Sequence, residues 1–270
     1  MIRHQPPLPT EPFAIDHGTA FFLEAGDSVT LYINGVPSSQ WSMSDPAELD
    51  FEYMRWIMAT IETTFTPDAP LRALHLGAAA CALPHAIVRR FPYSRHLAVE
   101  LDAALAAAVR RYVALPRAPV LRIRVDDAAR TLRARPPASH HLIVRDAFDD
   151  GPATPPELRD DQAARAAAAA LRPDGLFVAN CADTPGLPLS RDDLRTLATH
   201  FAYVGFITEP AQLHGRRRGN VVLLARHTPL TQVQEDRLAH RLRVAAFPTR
   251  LIAGPEALSW AGCTAPGEPA

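Results

Sequence analysis

Apolar and polar positions along this chain of 270 residues follow two rhythms. Between residues 18 and 40 the stretches AFFLEAG and SVTLYINGV alternate, with turn signals at Gly26-Asp27 and Asn34-Gly35. A period of two turns one face of a strand inward, so this region reads as a hairpin or a small sheet of about three strands. In SMSDPAELDFEYMRWIMATIETTF the period lengthens, and Tyr53, Trp56, Ile57 and Ile61 share one helical face. Asp45 as N-cap, Pro46 at the first helical position and Glu48 as reciprocal cap predict a helix that starts there.

From Leu71 onward strands and helices alternate. LRALHL, RHLAVEL, VLRIRV, HHLIVR, GLFVAN, YVGFIT and NVVLLAR are short, continuous apolar runs, the pattern of strands covered on both faces. Helical stretches lie between them: PHAIVRRF, DAALAAAVRRYV, residues 128–133, PELRDDQAARAAAAAL and SRDDLRTLATHF. Such alternation implies right-handed crossovers and a parallel sheet. EPAQLHGRRRG, between the last two strands, reads as a loop without a helix, which makes those strands antiparallel neighbours. The expected fold is α/β: a Rossmann-like, methyltransferase-type, seven-stranded sheet with a small N-terminal β-hairpin unit. Residues 1–66 form the arm, β-unit and first helix, and 67–227 a nucleoside-binding, methyltransferase-like domain. Residues 228–270 are a C-terminal extension with one short helical stretch and a Pro/Gly-rich tail.

Composition narrows the class. Apolar residues make up 47% and charged residues 21%, a core-forming balance. The formal net charge of -1 speaks against a nucleic-acid partner. All 28 basic residues are Arg, so most are read as solvated surface. Cys81, Cys181 and Cys263 are widely spaced and form no CxxC pair, which suits reduced thiols and no metal site. The adjacent His140 and His141 are read as a surface turn before a strand. No apolar leader stands at the N-terminus and no run is long enough for a membrane span, so a cytoplasmic location is expected.

Candidate chemistry gathers at strand ends, where doubly wound sheets bind ligands. LHLGAAACALP runs from a strand into six small residues, Gly77 to Ala82, and then a helix. Small side chains there let the backbone approach either a ligand or the next helix closely. Glu100, 23 residues past Gly77, is placed to hold ribose hydroxyls. An acid beyond the third strand, Asp126 or Asp127, is placed to read an adenine amine. Asp146, Asp149 and Asp150 follow the fourth strand, and Asn180 and Asp183 follow the fifth. The loop is not GxGxxG, which argues against a dinucleotide. Arg216-Arg217-Arg218 reads either as a solvated loop or as an anion clamp at the pocket mouth that binds a substrate carboxylate.

The stretches LYINGVPSSQ, FEYMRW, LHLGAAACALP, AVELD, VDDA, LIVRDAFDD and HGRRRGNVVLLA carry a resemblance. The chain resembles the spermidine synthase (polyamine aminopropyltransferase) family, most closely its divergent spermidine-synthase-like members in actinobacteria. The resemblance runs from about Thr19 to Arg226. It implies transfer of an aminopropyl group from decarboxylated S-adenosylmethionine to an amine. It places Gly77 and Ala78 against the nucleoside, Glu100 at the ribose and Asp127 at the adenine. Asp146 becomes the catalytic acid-base group that helps deprotonate the amine, and Asp149 the second acid of the same segment. Gln40 and Tyr53 line the substrate side. The implied partners are a small-molecule nucleoside donor and an amine acceptor, and a homodimer is in keeping with the family.

Three departures accompany the resemblance. The family loop GGGDGG has Ala80 in place of its acid, Tyr-His-Glu is Tyr53-Met54-Arg55, and the segment after the fourth strand is Asp146-Ala147-Phe148-Asp149-Asp150. A cation at position 55 disfavours a diamine. Two alternatives to aminopropyl transfer therefore stand: a methyltransferase using S-adenosylmethionine itself, and a non-catalytic nucleoside-binding homologue.

Overall fold

The computed structural model describes residues 6–149, 153–245 and 249–263. Residues 1–5 of the N-terminal arm, residues 150–152 (Asp150 among them), residues 246–248 and the Pro/Gly-rich tail from residue 264 lie outside the described residues.

The alternating N-terminal stretch forms one antiparallel sheet of four strands in chain order: β1 (Phe13–Ile15), β2 (Gly18–Ala25), β3 (Ser28–Ile33) and β4 (Val36–Ser42). The expected hairpin unit is thus larger by the short β1, which pairs with β2 across a tight turn at residues 16–17. Phe22, Val29, Leu31 and Trp41 fill its inner face. That face turns toward the main sheet, and hydrogen bonds fix the seam. The His17 N–H donates to Asp102 Oδ2 at 2.9 Å, and the Ala103 N–H to Asp16 Oδ2 at 2.7 Å.

The first helix, α1 (Glu52–Thr64), starts later than Asp45 and Pro46 predict. The Asp45 carboxylate instead closes a local turn by accepting the Ala47 N–H at 3.0 Å, and Glu48 N–H donates to Asp45 O. A side chain that satisfies nearby N–H groups stabilises a turn as readily as a helix start. The chain then stays extended through Phe51, whose carbonyl accepts the first helical N–H groups. The predicted face is correct: Tyr53, Trp56, Ile57 and Ile61 are all buried.

The main sheet contains β5 (Arg72–Leu76), β6 (Arg95–Glu100), β7 (Leu121–Val125), β8 (His140–Arg145), β9 (Leu171–Asp183), β10 (Tyr203–Thr208), β11 (Gly219–Arg226) and β12 (Arg250–Ala253). Their spatial order is β12-β10-β11-β9-β8-β5-β6-β7. β5 to β9 are parallel, whereas β11 and β10 run antiparallel to their neighbours, as the sequence predicts. The count is eight rather than seven. Residues 250–253 add an antiparallel edge strand on β10, too short and too exposed to read as an apolar run. His140 and His141 open β8 rather than form a surface turn, and His141 Nδ1 accepts the Arg72 N–H.

Helices cover both faces. α2 (Ala82–Arg90), α3 (Ala103–Tyr112) and α8 (Gln232–Arg243) join α1 on one side. α4 (Ala128–Arg133), α5 (Asp161–Ala170), α6 (Pro188–Ala198) and α9 (Gly254–Ala261) cover the other. The four buried alanines of α5 bring that helix close to the sheet. The β10–β11 connection holds a one-turn helix, α7 (Pro210–Leu213), that was not expected. Its signal is in the sequence: Glu209 caps, Pro210 follows, and Gln212 returns a bond to the cap. α1 is clamped in place by Glu62, which pairs with Arg90 of α2 and Arg241 of α8, both at 2.8 Å. None of the described helices is long and apolar enough to cross a membrane.

Directly behind the strand ends lies a buried charge cluster. Arg145, the last residue of β8, pairs with Asp193 of α6 at 2.6 Å, and both side chains are 2% exposed. Arg159 completes the cluster at 3.0 Å from the other Asp193 oxygen. Removing one member of a buried pair leaves a charge without its partner. Asp193→Ala is therefore expected to cost about 3–5 kcal/mol of stability, read from urea denaturation; a loss under about 1 kcal/mol, the range of exposed pairs, would contradict it.

Candidate functional site

The strand order reverses between β5 and β8: β6 and β7 lie to one side of β5, and β8 and β9 to the other. At such a switch point the loops diverge and leave a crevice. Here the loop after β5 and the first residue after β8 stand side by side. The Asp146 N–H donates to Leu76 O at 2.9 Å. Gly77 has φ +95°, and a Cβ added there would lie 2.1 Å from Asp146 O. Glycine is required at this position because two backbones meet.

The rest of the small-residue loop is also strained into close quarters. Ala79 and Cys81 have left-handed φ of 42° and 59°. Ala80 and Cys81 are buried, and the Ala80 side chain packs in the apolar core. The loop N–H groups face Glu100, whose Oε2 accepts from Ala79 at 3.1 Å and Ala78 at 3.4 Å. Oε1 accepts the Asp102 N–H at 3.1 Å. A carboxylate has about four acceptor positions, and three are in use here. Burial raises the Glu100 carboxyl above its ordinary value, while these backbone bonds pull it down.

Beyond β7 the two acids separate in role. Asp126 is buried and pairs with Arg130 and with Arg124, and its carboxyl is lowered to about 2, chiefly by the Arg130 bond. Asp127 is exposed and caps α4, accepting the Arg130 N–H at 2.6 Å through Oδ1.

Asp146 is the meeting point of three elements. Its Oδ2 accepts the Tyr53 hydroxyl of α1 at 3.0 Å, and its Oδ1 the Asn180 amide of β9 at 3.0 Å. Burial pushes the Asp146 carboxyl up; the two hydrogen bonds and the Arg145 charge oppose that rise. Burial first, and then the neighbouring Asp146, push the Tyr53 phenol well above its ordinary value. The phenol is therefore a fixed donor to the carboxylate. Asn180 is 1% exposed, and its Oδ1 has no hydrogen-bond partner among the described residues. The sequence places Asn180 at a strand end but gives it no role; the register sets it beside Asp146, because Arg145 pairs with Ala179.

The other expected residues lie apart from this cluster. Gln40 donates to Ser28 Oγ at 2.7 Å, and Ser28 to Asp50, within the N-terminal sheet. Asp149 is exposed, with its N–H bonded to Ala153 O. Arg55 turns away from the site and donates to Asp50 O.

A cleft of about 210 Å³ opens on the α1 side of Tyr53. Glu52, Tyr53 and Trp56 form one wall, and Glu209, Gln212, Arg217 and Arg218 of the β10–β11 connection form the other. Tyr53 thus lines the cleft and hydrogen-bonds Asp146. The described residues contain no cluster of His, Cys, Asp and Glu that could hold a metal ion.

No protein-family model matches the chain, and no curated protein does. Solved structures do. A probable spermidine synthase from Corynebacterium glutamicum is 31% identical over 96% of both chains, with a TM-score of 0.88. The spermidine synthase of Thermotoga maritima superposes with a TM-score of 0.60 at 16% identity, over 88% of this chain and 78% of that one. Human methyltransferase-like protein 13 in complex with SAH gives 0.59 at 20% identity, over 72% of this chain and 91% of that one. The last two share the fold, whereas the first shares sequence along nearly its whole length: the chain belongs to the spermidine synthase-like family.

Proposed function

We propose that the protein binds an S-adenosylmethionine-type nucleoside and transfers a carbon group from its sulfonium to an amine. Family membership and a methyltransferase-type sheet support a transferase of this kind. Solved structures of this fold are described in complex with SAH and with the transition-state analogue AdoDATO, which supports a nucleoside of that class. The nucleoside would lie along Gly77 and Ala78, with its ribose at the remaining acceptor capacity of Glu100 and its adenine amine at the exposed carboxylate of Asp127.

The observation that carries the reading is the Asp146 carboxylate, held by Tyr53 and Asn180 at the switch point. An amine attacks only as the neutral base. Its lone pair forms the new C–N bond as the C–S bond breaks, and the thioether nucleoside leaves. One N–H proton passes to Asp146, which must be ionised to take it. Two fixed donors prevent the carboxylate from rotating away, and its raised pKa makes it a better proton acceptor. Tyr53 also places the attacking amine, since it opens onto the cleft.

The donor is either the decarboxylated form or S-adenosylmethionine itself. Ala80 favours the second, because this loop offers no acid to an aminopropyl ammonium. Product masses separate a gained methyl from a gained aminopropyl group. Gln40 and Asp149, which stand apart from Asp146 and outside the cleft, take no part in this reading, and small-molecule substrates of this kind go with a cytoplasmic protein.

Asp146→Asn should keep nucleoside affinity within about threefold, because the residue faces the acceptor, and lower turnover by about 10²–10⁴-fold. Calorimetry and a product assay read the two effects; turnover at the parent rate would remove Asp146 from the chemistry. A second expectation concerns pH. Asp146 is raised, so activity should fall as pH drops through a value above the ordinary carboxylate range. Tyr53→Phe removes a bond that lowers this pKa, so that acid limb should move to higher pH. Comparing parent and variant with the same acceptor cancels the acceptor's own titration. A limb that moves to lower pH, or does not move, would contradict the role of Tyr53.

A further inference from the structure

The cleft beside Tyr53 is charge-balanced, and that balance bears on the acceptor. Glu209 and Arg217 pair with each other across its outer wall. Glu52, in the first turn of α1, and Arg218 have no ion-pair or hydrogen-bond partner among the described residues. Two acids and two guanidinium groups sum to no net charge. A plain diamine enters as a dication and is held by a surplus of acid; two arginines at the wall oppose it.

Arg218 sits on a firm support. The next residue, Gly219, begins β11 and presses on the Gln212 side chain, where a Cβ would lie 1.6 Å from Nε2. Gln212 is buried and accepts the Thr208 hydroxyl at 2.6 Å through Oε1. The chain at Arg218 is thereby fixed to the sheet, while its guanidinium remains exposed at the cleft. An unpartnered guanidinium on a fixed backbone is suited to a carboxylate, which it can bind with two parallel hydrogen bonds.

We propose that the acceptor is an amine that carries a carboxylate, a substrate of the amino-acid class, with Arg218 binding the carboxylate and Glu52 an ammonium group. This rests on the reading of Asp146 and Tyr53 as the end at which the amine reacts. The cleft then complements a zwitterion: its anionic end is held at the β10–β11 connection, and its reacting amine is directed past Tyr53 toward Asp146.

The test uses ornithine and putrescine, which differ only by a carboxylate, with lysine and cadaverine as a longer pair. Each is titrated calorimetrically into the protein saturated with methylthioadenosine or S-adenosylhomocysteine, whichever of the two binds. The parent should bind ornithine or lysine at least about tenfold more tightly than its diamine counterpart. Arg218→Ala, at an exposed side chain, should erase that difference, and Arg218→Glu should reverse it. Equal or tighter diamine binding, binding of neither class, or an unchanged preference in both Arg218 variants overturns the proposal. Binding of both nucleosides is measured first in the same samples. If neither binds, the nucleoside reading fails and this proposal fails with it; if one binds and the amines do not discriminate, only this proposal fails.

Discussion

The backbone approach of Gly77 to Asp146 is the contact on which the candidate site depends. Two parallel strands of opposite crossover direction end at the same level, and their next residues touch. No side chain fits between them, so the loop after β5 must begin with glycine. That approach sets the Asp146 carboxylate at the mouth of the crevice, within reach of a phenol from one side of the sheet and an amide from the neighbouring strand. The small-residue loop in LHLGAAACALP is therefore first a packing solution. It tightens further by aiming its N–H groups at Glu100, which leaves that carboxylate limited capacity for any ligand.

Electrostatics around Asp146 are arranged in layers. Behind it, Arg145, Asp193 and Arg159 form a buried cluster with an excess of positive charge. This cluster partly offsets the cost of burying the Asp146 carboxylate. In front, the cleft carries charges of both signs: Glu209 and Arg217 pair with each other, while Glu52 and Arg218 have no partner among the described residues. A carboxyl raised by burial but fixed by two donors is a reasonable proton acceptor, and a neutral cleft sets few limits on net substrate charge while selecting strongly for its arrangement.

Much of the fold was legible because fully covered strands are short apolar runs bounded by turn residues, as in LRALHL or NVVLLAR. What escaped were elements that fit no such pattern. Residues 250–253 form an edge strand whose side chains are largely half-buried. The start of α1 was misplaced because Asp45 and Pro46 favour a turn as well as a helix, and nothing local distinguishes the two. Of the candidate site, Tyr53 and Asp146 were named from resemblance, and the structure joins them by a hydrogen bond across 93 positions of sequence. Asn180 stands in the sequence only as a residue at a strand end; Arg217 and Arg218 are legible there as one of two readings, a clamp at the pocket mouth, whereas the places of Glu52 and Glu209 on the cleft walls come from the tertiary structure alone.

Local patterns alone thus determined the types of the long elements, the α/β class, the antiparallel pairing of β10 and β11 and the set of acids at strand ends. They could do so because apolar periodicity and turn chemistry act over a few residues. Which of those acids turns inward, which one caps a helix and which one is already bound by backbone N–H groups was decided only in three dimensions. Asp127 went to a cap, Asp126 to two arginines, Glu100 to its own loop and Asp146 to a phenol and an amide. Their side chains are chemically alike; register, strand order and the closeness of two backbones gave each a different partner.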